Sequence, residues 1–175
     1  MLNAIFLLAL LVGLLTMLAY PLSRYLMWVS ESKTAPLGLS KIESGIYRLA
    51  GINHDQEMTW KRYAGSVILF SILGVLAVMG LQLLQHVLPL NPQEIDAPTL
   101  DSAFNTATSF VTNTNWQAYS GETAMSYLTQ MLGLGVQNFA SAATGIAVVF
   151  ALVRGLIAHQ NENLGNFWVD ITRIC

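Results

Sequence analysis

The sequence predicts an all-α membrane protein, an N-terminal transmembrane helix followed by one membrane-pore-membrane repeat, and three observations carry that expectation. Of 175 residues, 54% are hydrophobic and only 10% charged, against about 25% charged in an ordinary soluble domain. The apolar residues gather into three long stretches, each sufficient for a hydrocarbon core of roughly 30 Å. Between the second and third lies Thr108 to Thr123, TSFVTNTNWQAYSGET, largely polar and aromatic. A polar run framed in this way is the pattern of a loop that dips into a membrane to line an ion path, because non-helical backbone at that depth survives only where protein buries it or it faces a water-filled cavity.

The elements follow in order. Leu2 to Tyr20 carries no charge and would reach about 28 Å as a helix. It has no Lys or Arg before it and exceeds the apolar core of a signal peptide, so residues 1–20 are expected as a retained transmembrane helix closed by Pro21 and the polar run to Pro36. Residues 21–62 form a loop in which Leu39, Ile42, Ile46, Leu49 and Ala50 share one helical face, the mark of a short helix lying at the interface. Trp60, Lys61, Arg62 and Tyr63 are interfacial anchors, and 63–88 is the second span, ended by Pro89 and Pro92. A linker over 89–99 leads to a short pore helix over 100–111, capped by Thr99 or Asp101. The filter-like loop occupies 112–119. The third span, an inner helix, covers 120–156, with Ser120 and Thr123 or Glu122 at its start; Glu122 also reads as a cation attractor at a pore mouth. Residues 157–175 are a loop and the opening of a further membrane helix, inside which the sequence stops.

The basic residues give sidedness. Arg24, Lys33, Lys41, Arg48, Lys61 and Arg62 lie between the first two spans, Arg154 and Arg173 after the third, and none between Tyr63 and Val153. The positive-inside rule makes 21–62 and 157–175 cytoplasmic and puts the N-terminus and the 89–123 region outside. Helix and loop therefore enter from the outer face.

The loop chemistry suits a desolvated monovalent cation. Filters replace a hydration shell with carbonyl and hydroxyl oxygens, and a short helix can aim its partly negative C-terminal end at the ion. Thr112, Asn113, Thr114 and Asn115 offer neutral oxygens, and no carboxylate lies within 102–121 to build a divalent-cation ring. On the third span Gln130, Gln137, Ser141 and Thr144 recur at helical spacing, interspersed with Gly133, Ala140, Ala142, Ala143 and Gly145. They read as a cavity-lining face or as close helix packing with hydrogen bonds across the contact, and the two readings are compatible.

Other classes fall away. The lone Cys175 has no partner in the chain, and His54, His86 and His159 lie far apart near helix ends, as interfacial polar residues do. No basic patch suggests nucleic acid, and no phosphate-binding loop, Ser/His/Asp set or phosphorylated-aspartate motif suggests an enzyme acting alone.

Five segments carry a family resemblance: MTWKRY at Met58–Tyr63, LPLNPQ at Leu88–Gln93, SFVTNTNWQAYSGET at Ser109–Thr123, QMLGLGVQNFASAATGIAVVFALVRG at Gln130–Gly155, and LGNFWVDITRI at Leu164–Ile174. In this order the chain resembles the first pore repeat of the potassium-translocating A subunits of bacterial Kdp potassium-transporting ATPases. The resemblance implies a four-repeat, potassium-channel-like fold of the superfamily of potassium transporters. It implies that Val111, Thr112, Asn113, Thr114, Asn115 and Gln117 form one quarter of a potassium filter, with Asn115 and Gln117 tuning recognition. Potassium is the one metal implied. ATP is used by the B subunit, a P-type ATPase, and not bound here, while the C subunit and the small F subunit complete a Kdp complex in the bacterial cytoplasmic (inner) membrane. Two departures stand out. Thr-Asn-Thr-Asn-Trp replaces the Thr-Val-Gly-Tyr-Gly of potassium channels, so glycines that admit unusual dihedrals are missing. The family's proteins are also much longer, so this chain is expected to be an N-terminal portion supplying one wall of the site. The competing functions are a secondary potassium transporter without an ATPase partner and a non-transporting membrane scaffold.

Overall fold

The computed structural model describes residues 2–31, 40–157 and 163–175, in two units, 1–51 and 52–175. Lys33, Leu39 and His159 lie outside the described residues.

In the first unit, helix α1 spans Leu2–Glu31 and runs through Pro21, so the helix does not end at Tyr20 as the sequence suggests. Proline removes the donor for the Met17 carbonyl, but the chain beyond it, Leu22 to Val29, is apolar and aromatic apart from Ser23 and Arg24. Membrane helices tolerate an internal proline more readily than soluble ones; the Ser23 hydroxyl donates to the Tyr20 carbonyl at 2.8 Å, a different carbonyl from the one Pro21 leaves without a donor. The apolar, membrane-length part is Ile5–Val29. Helix α2, Ser40–Ala50, is amphipathic, with Ile42, Ile46 and Leu49 exposed.

The second unit holds the repeat. Helix α3, Trp60–Leu83, is long and apolar enough to cross, and it stops short of the expected 88. Gln85 is the cause. Fully buried, its amide nitrogen donates to the Asp96 and Ala124 carbonyls at 2.7 and 3.0 Å, and its oxygen accepts from the Ser126 N–H at 3.1 Å. Three segments are thereby tied to one side chain, and the chain turns around it rather than continuing to the prolines. Asn91 orders the linker by accepting from the Ile95 N–H and donating to the Gln85 and Ile95 carbonyls.

Helix α4 is Leu100–Val111, with Thr99 as its N-cap accepting from the Ser102 N–H. A single turn, α5, covers Gly121–Ala124, and there the structure departs again from expectation. The third span does not run unbroken from 120, and the Ser120 side chain caps no backbone N–H of α5. The chain extends at Met125 and restarts on Ser126, whose hydroxyl accepts from the Thr129 N–H at 3.2 Å and whose carbonyl accepts from the Gln130 N–H. That is the work of an N-cap. A π-helical stretch, Thr129–Gly135, follows and passes into α6, Val136–Ile157. Its wider turn sits where the Thr129 hydroxyl reaches the Leu81 carbonyl of α3 and where a β-carbon on Gly133 would lie 3.4 Å from Leu81. Helix α7 is Phe167–Ile174, capped by Asn166.

Packing uses small residues. Ala143, Ala147 and Ala151 of α6 let Tyr63 of α3 and Phe167 and Ile171 of α7 into one buried cluster, as close approach of membrane helices requires. Phe167, fully buried, meets Tyr63 and Phe70 edge to face at 5.6 and 5.7 Å. A second cluster of Val78, Ala107, Phe110, Met125 and Leu134 fixes α4 between α3 and the π-helical stretch. The short helix is thus held from both sides with its C-terminus free to present a loop.

Candidate functional site at the end of the short helix

An α-helix leaves its last four carbonyls without intrahelical donors. In α4 three of them are taken by the loop that follows. Thr108 O accepts from the Thr112 N–H at 2.9 Å and the Thr112 hydroxyl at 2.8 Å, and Phe110 O accepts from the Asn113 N–H at 3.2 Å. Ser109 O has four donors within 3.0–3.3 Å, the N–H groups of Thr114 and Asn115 and the hydroxyls of Thr112 and Thr114. The Trp116 N–H, which comes next, reaches the Ser109 hydroxyl instead, at 2.8 Å.

These bonds orient the opposite side of the loop. In a planar trans peptide the C=O of one residue points away from the N–H of the next. With the N–H groups of Asn113, Thr114, Asn115 and Trp116 all turned onto the end of α4, the carbonyls of Thr112, Asn113, Thr114 and Asn115 point away from it. None of the four accepts a hydrogen bond from the described residues, and residues 112–117 are exposed. The result is a run of four unengaged carbonyl oxygens on one side, with the partly negative helix end behind them.

Such a run requires dihedrals that most side chains resist, and here two asparagines adopt them. Asn113 and Asn115 have φ of 58° and 54°, in the left-handed region where Asn is several-fold enriched among non-glycine residues. The loop thus reaches left-handed backbone without glycine, through the non-glycine side chain that tolerates it well, although the asparagines do not stand at the positions of the channel glycines. Asn113 is further held by its Oδ1, which accepts from the Ser141 hydroxyl of α6 at 3.3 Å.

The threonine hydroxyls play a part the sequence did not disclose. Those of Thr112 and Thr114 face the end of α4 and lie 3.2 Å from each other, so the outward oxygens are carbonyls. Val111 packs inward, where a β-carbon on Gly74 of α3 would meet its Cγ2 at 3.2 Å and Gln137 Oε1 at 3.1 Å. Gln117 lies past the carbonyl run and lines a cavity of about 210 Å3 with Ser102, Asn105, Thr106, Trp116 and Tyr119.

The four polar residues of the third span separate into distinct positions. Ser141 and Gln137, both buried, sit beneath the loop at Asn113 and Val111. Gln130 spends its amide nitrogen on the Gly121 and Met125 carbonyls, at 3.1 and 2.8 Å, and so holds the break before the π-helical stretch. Thr144 bonds its own helix at the Ala140 carbonyl. The π-helical stretch between Gln130 and Gln137 alters the register that a uniform helix would give them.

At the other end of α6 lies a constellation that charge counting did not reveal. Arg154 pairs with Asp170 of α7 through two bonds, Nη1 to Oδ2 at 2.6 Å and Nη2 to Oδ1 at 3.0 Å, and also donates to the Leu164 carbonyl. The Tyr63 hydroxyl lies 2.9 Å from Asp170 Oδ2 and 2.8 Å from the Ala147 carbonyl. Asp170 is 3% exposed. Beside it, backbone bonds between Met58 and both Leu164 and Gly165 tie the start of α3 to the approach to α7. The signal available in sequence was an Asp inside an apolar segment, which in a membrane protein calls for a partner.

Two long apolar helices flanking a short helix, whose C-terminal end carries a loop of unengaged carbonyls, define a pore-loop membrane protein. The match to known sequences is specific: the chain belongs to the potassium-transporting ATPase A subunit family, whose model matches residues 9–175. It is 57% identical over 161 residues to the potassium-transporting ATPase potassium-binding subunit of Chromobacterium violaceum, covering 90% of this chain and 26% of that protein. The proteins of the same name from Methylibium petroleiphilum and Dechloromonas aromatica are 56% identical over 170 residues and 60% over 154. These alignments cover 95% and 88% of this chain, and 29% and 26% of the two proteins. The chain thus spans little more than a quarter of the length of these curated relatives, and it is a multi-pass membrane protein.

Proposed function

We propose that this chain contributes the first quarter of the selectivity filter in the potassium-binding and translocating subunit of an ATP-driven potassium uptake complex. The run of free carbonyls from Thr112 to Asn115 carries the reading. Neutral oxygens in a row suit a monovalent cation that must be bound without being trapped, and the relatives are named for binding potassium. One loop is one wall, so the ion site needs further walls from the rest of the protein. Val111 and Gln117 border the run, Gln117 beside its outer end, and Gln137 and Ser141 support it from the inner helix. ATP is hydrolysed by the P-type ATPase of the complex, its B subunit, and the C and F subunits complete the assembly. The complex lies in the bacterial inner membrane with the N-terminus and the filter loop on the external side, a sidedness supported by the eight basic residues that avoid 63–153.

Two measurements test this. Purified in mild detergent, the full-length potassium-binding protein should bring a P-type ATPase with it, and the turnover of that complex should depend on potassium. Its consistent isolation alone would favour the secondary-transporter reading. Cysteines placed at Ala118 and at Ser44 should react with an impermeant maleimide from the outside and only after permeabilisation, respectively; the reverse pattern would overturn the sidedness.

A further inference from the structure

We infer that the Ser109 hydroxyl is the positioning group for the outermost ion-facing carbonyl, that of Asn115, and so helps set which monovalent cation the filter accepts; this rests on the reading of 112–115 as a filter wall. Ser109 lies within α4, is 2% exposed, and is not among the residues expected to face the ion. Its carbonyl already serves the N–H groups of Thr114 and Asn115. The next N–H along, that of Trp116, is served by the hydroxyl, at 2.8 Å.

That bond has a geometric consequence. The Trp116 N–H and the Asn115 C=O belong to one rigid peptide plane, so fixing the first aims the second. Among described residues the Asn115–Trp116 peptide has no other backbone hydrogen bond. Asn115 also sits at φ 54°, a conformation that side chains leave readily when nothing holds the plane. The same hydroxyl lies 3.3 Å from Thr114 Oγ1, with either atom able to donate. A second link thus joins it to the neighbouring carbonyl-bearing residue. Without the Ser109 oxygen the outer carbonyl would swing between orientations, and a loosened carbonyl ring discriminates less between ions of different radius.

The test uses the whole ATPase complex carrying Ser109→Ala, with turnover measured against potassium, rubidium and sodium. The half-saturating potassium concentration should rise by up to roughly 10-fold, the span expected from the net worth of one partly exposed hydrogen bond. Turnover at saturating potassium should stay near wild type, and the preference for potassium over rubidium should narrow. Ser109→Cys, similar in size but a poor acceptor, should shift both quantities in the same direction and serves if the alanine variant does not assemble. An assembled variant with wild-type half-saturation and ion preference overturns the role of Ser109. If instead the unmodified complex shows no potassium dependence, the filter reading itself fails, and the two failures are distinguishable.

Discussion

Asn115 offers the sharpest test of the backbone geometry behind the proposed filter loop. Its φ of 54° places a β-carbon in the left-handed region, which costs an ordinary L-residue roughly 1–2 kcal/mol. Asparagine escapes part of that cost and glycine escapes it altogether. Exchanging Asn115 for alanine should therefore disfavour the observed loop by about 1 kcal/mol. If only this loop conformation binds the ion, its equilibrium with the alternatives shifts about fivefold, and the half-saturating potassium concentration rises by up to that factor. Asn115→Gly should stay within about twofold of wild type, and Asn115→Val, β-branched and least able to adopt positive φ, should be worst. The assay is potassium-stimulated ATP hydrolysis by the purified complex across a potassium titration. Equal damage from glycine and alanine would refute the backbone argument and move the effect to the amide group. A wild-type valine variant would refute it outright. Asn113 is the less clean position, because its side chain also accepts from Ser141.

Three further outcomes are expected. Removing one partner of the buried pair, by Arg154→Ala or Asp170→Ala, should destabilise by about 3–5 kcal/mol because the other charge is stranded. The change is readable as a lower thermal midpoint, and the double replacement Arg154→Met with Asp170→Leu should recover much of it. Gly165→Ala should also destabilise, since the residue has φ 90° and its new β-carbon would lie 2.5 Å from Arg154 Nη1; a cost of about 1–3 kcal/mol is typical of such strain, measured in the same melting experiment. Gln117→Arg should lower apparent potassium affinity with assembly intact, by bringing a fixed positive charge beside the carbonyl run; unchanged potassium dependence of the ATPase would contradict a site there.

What could be read from the residues was whatever depends on local runs. The bounds of α4 follow from Thr99 before an apolar periodicity and from the polar stretch after it, and α2 follows from one apolar stripe. The ends of the long helices were less legible, because distant groups decide them. Pro21 does not stop α1, which continues through a segment that is mostly apolar despite Ser23 and Arg24. Gln85 stops α3 before the prolines by binding Asp96, Ala124 and Ser126, partners that no window around Gln85 contains. Ser126 restarts the third span after a break that periodicity smoothed over.

The candidate site divides in the same way. Composition and order along the chain determined by themselves that this is a membrane protein with a polar loop between two spans, since apolar length and the placement of polar residues are one-dimensional properties. The motifs likewise sufficed to indicate the family. Only the tertiary structure decided which oxygens the loop presents. That depends on where each N–H finds its acceptor, and those acceptors are the carbonyls and hydroxyl at the end of a folded helix. Thr112 and Thr114 turned their hydroxyls inward, Asn113 and Asn115 supplied the left-handed turns, and Ser109 gathered the bonds. Arg154 and Asp170 show the same limit, because a charge in an apolar segment announces that it needs a partner, and packing of α6 against α7 chooses which.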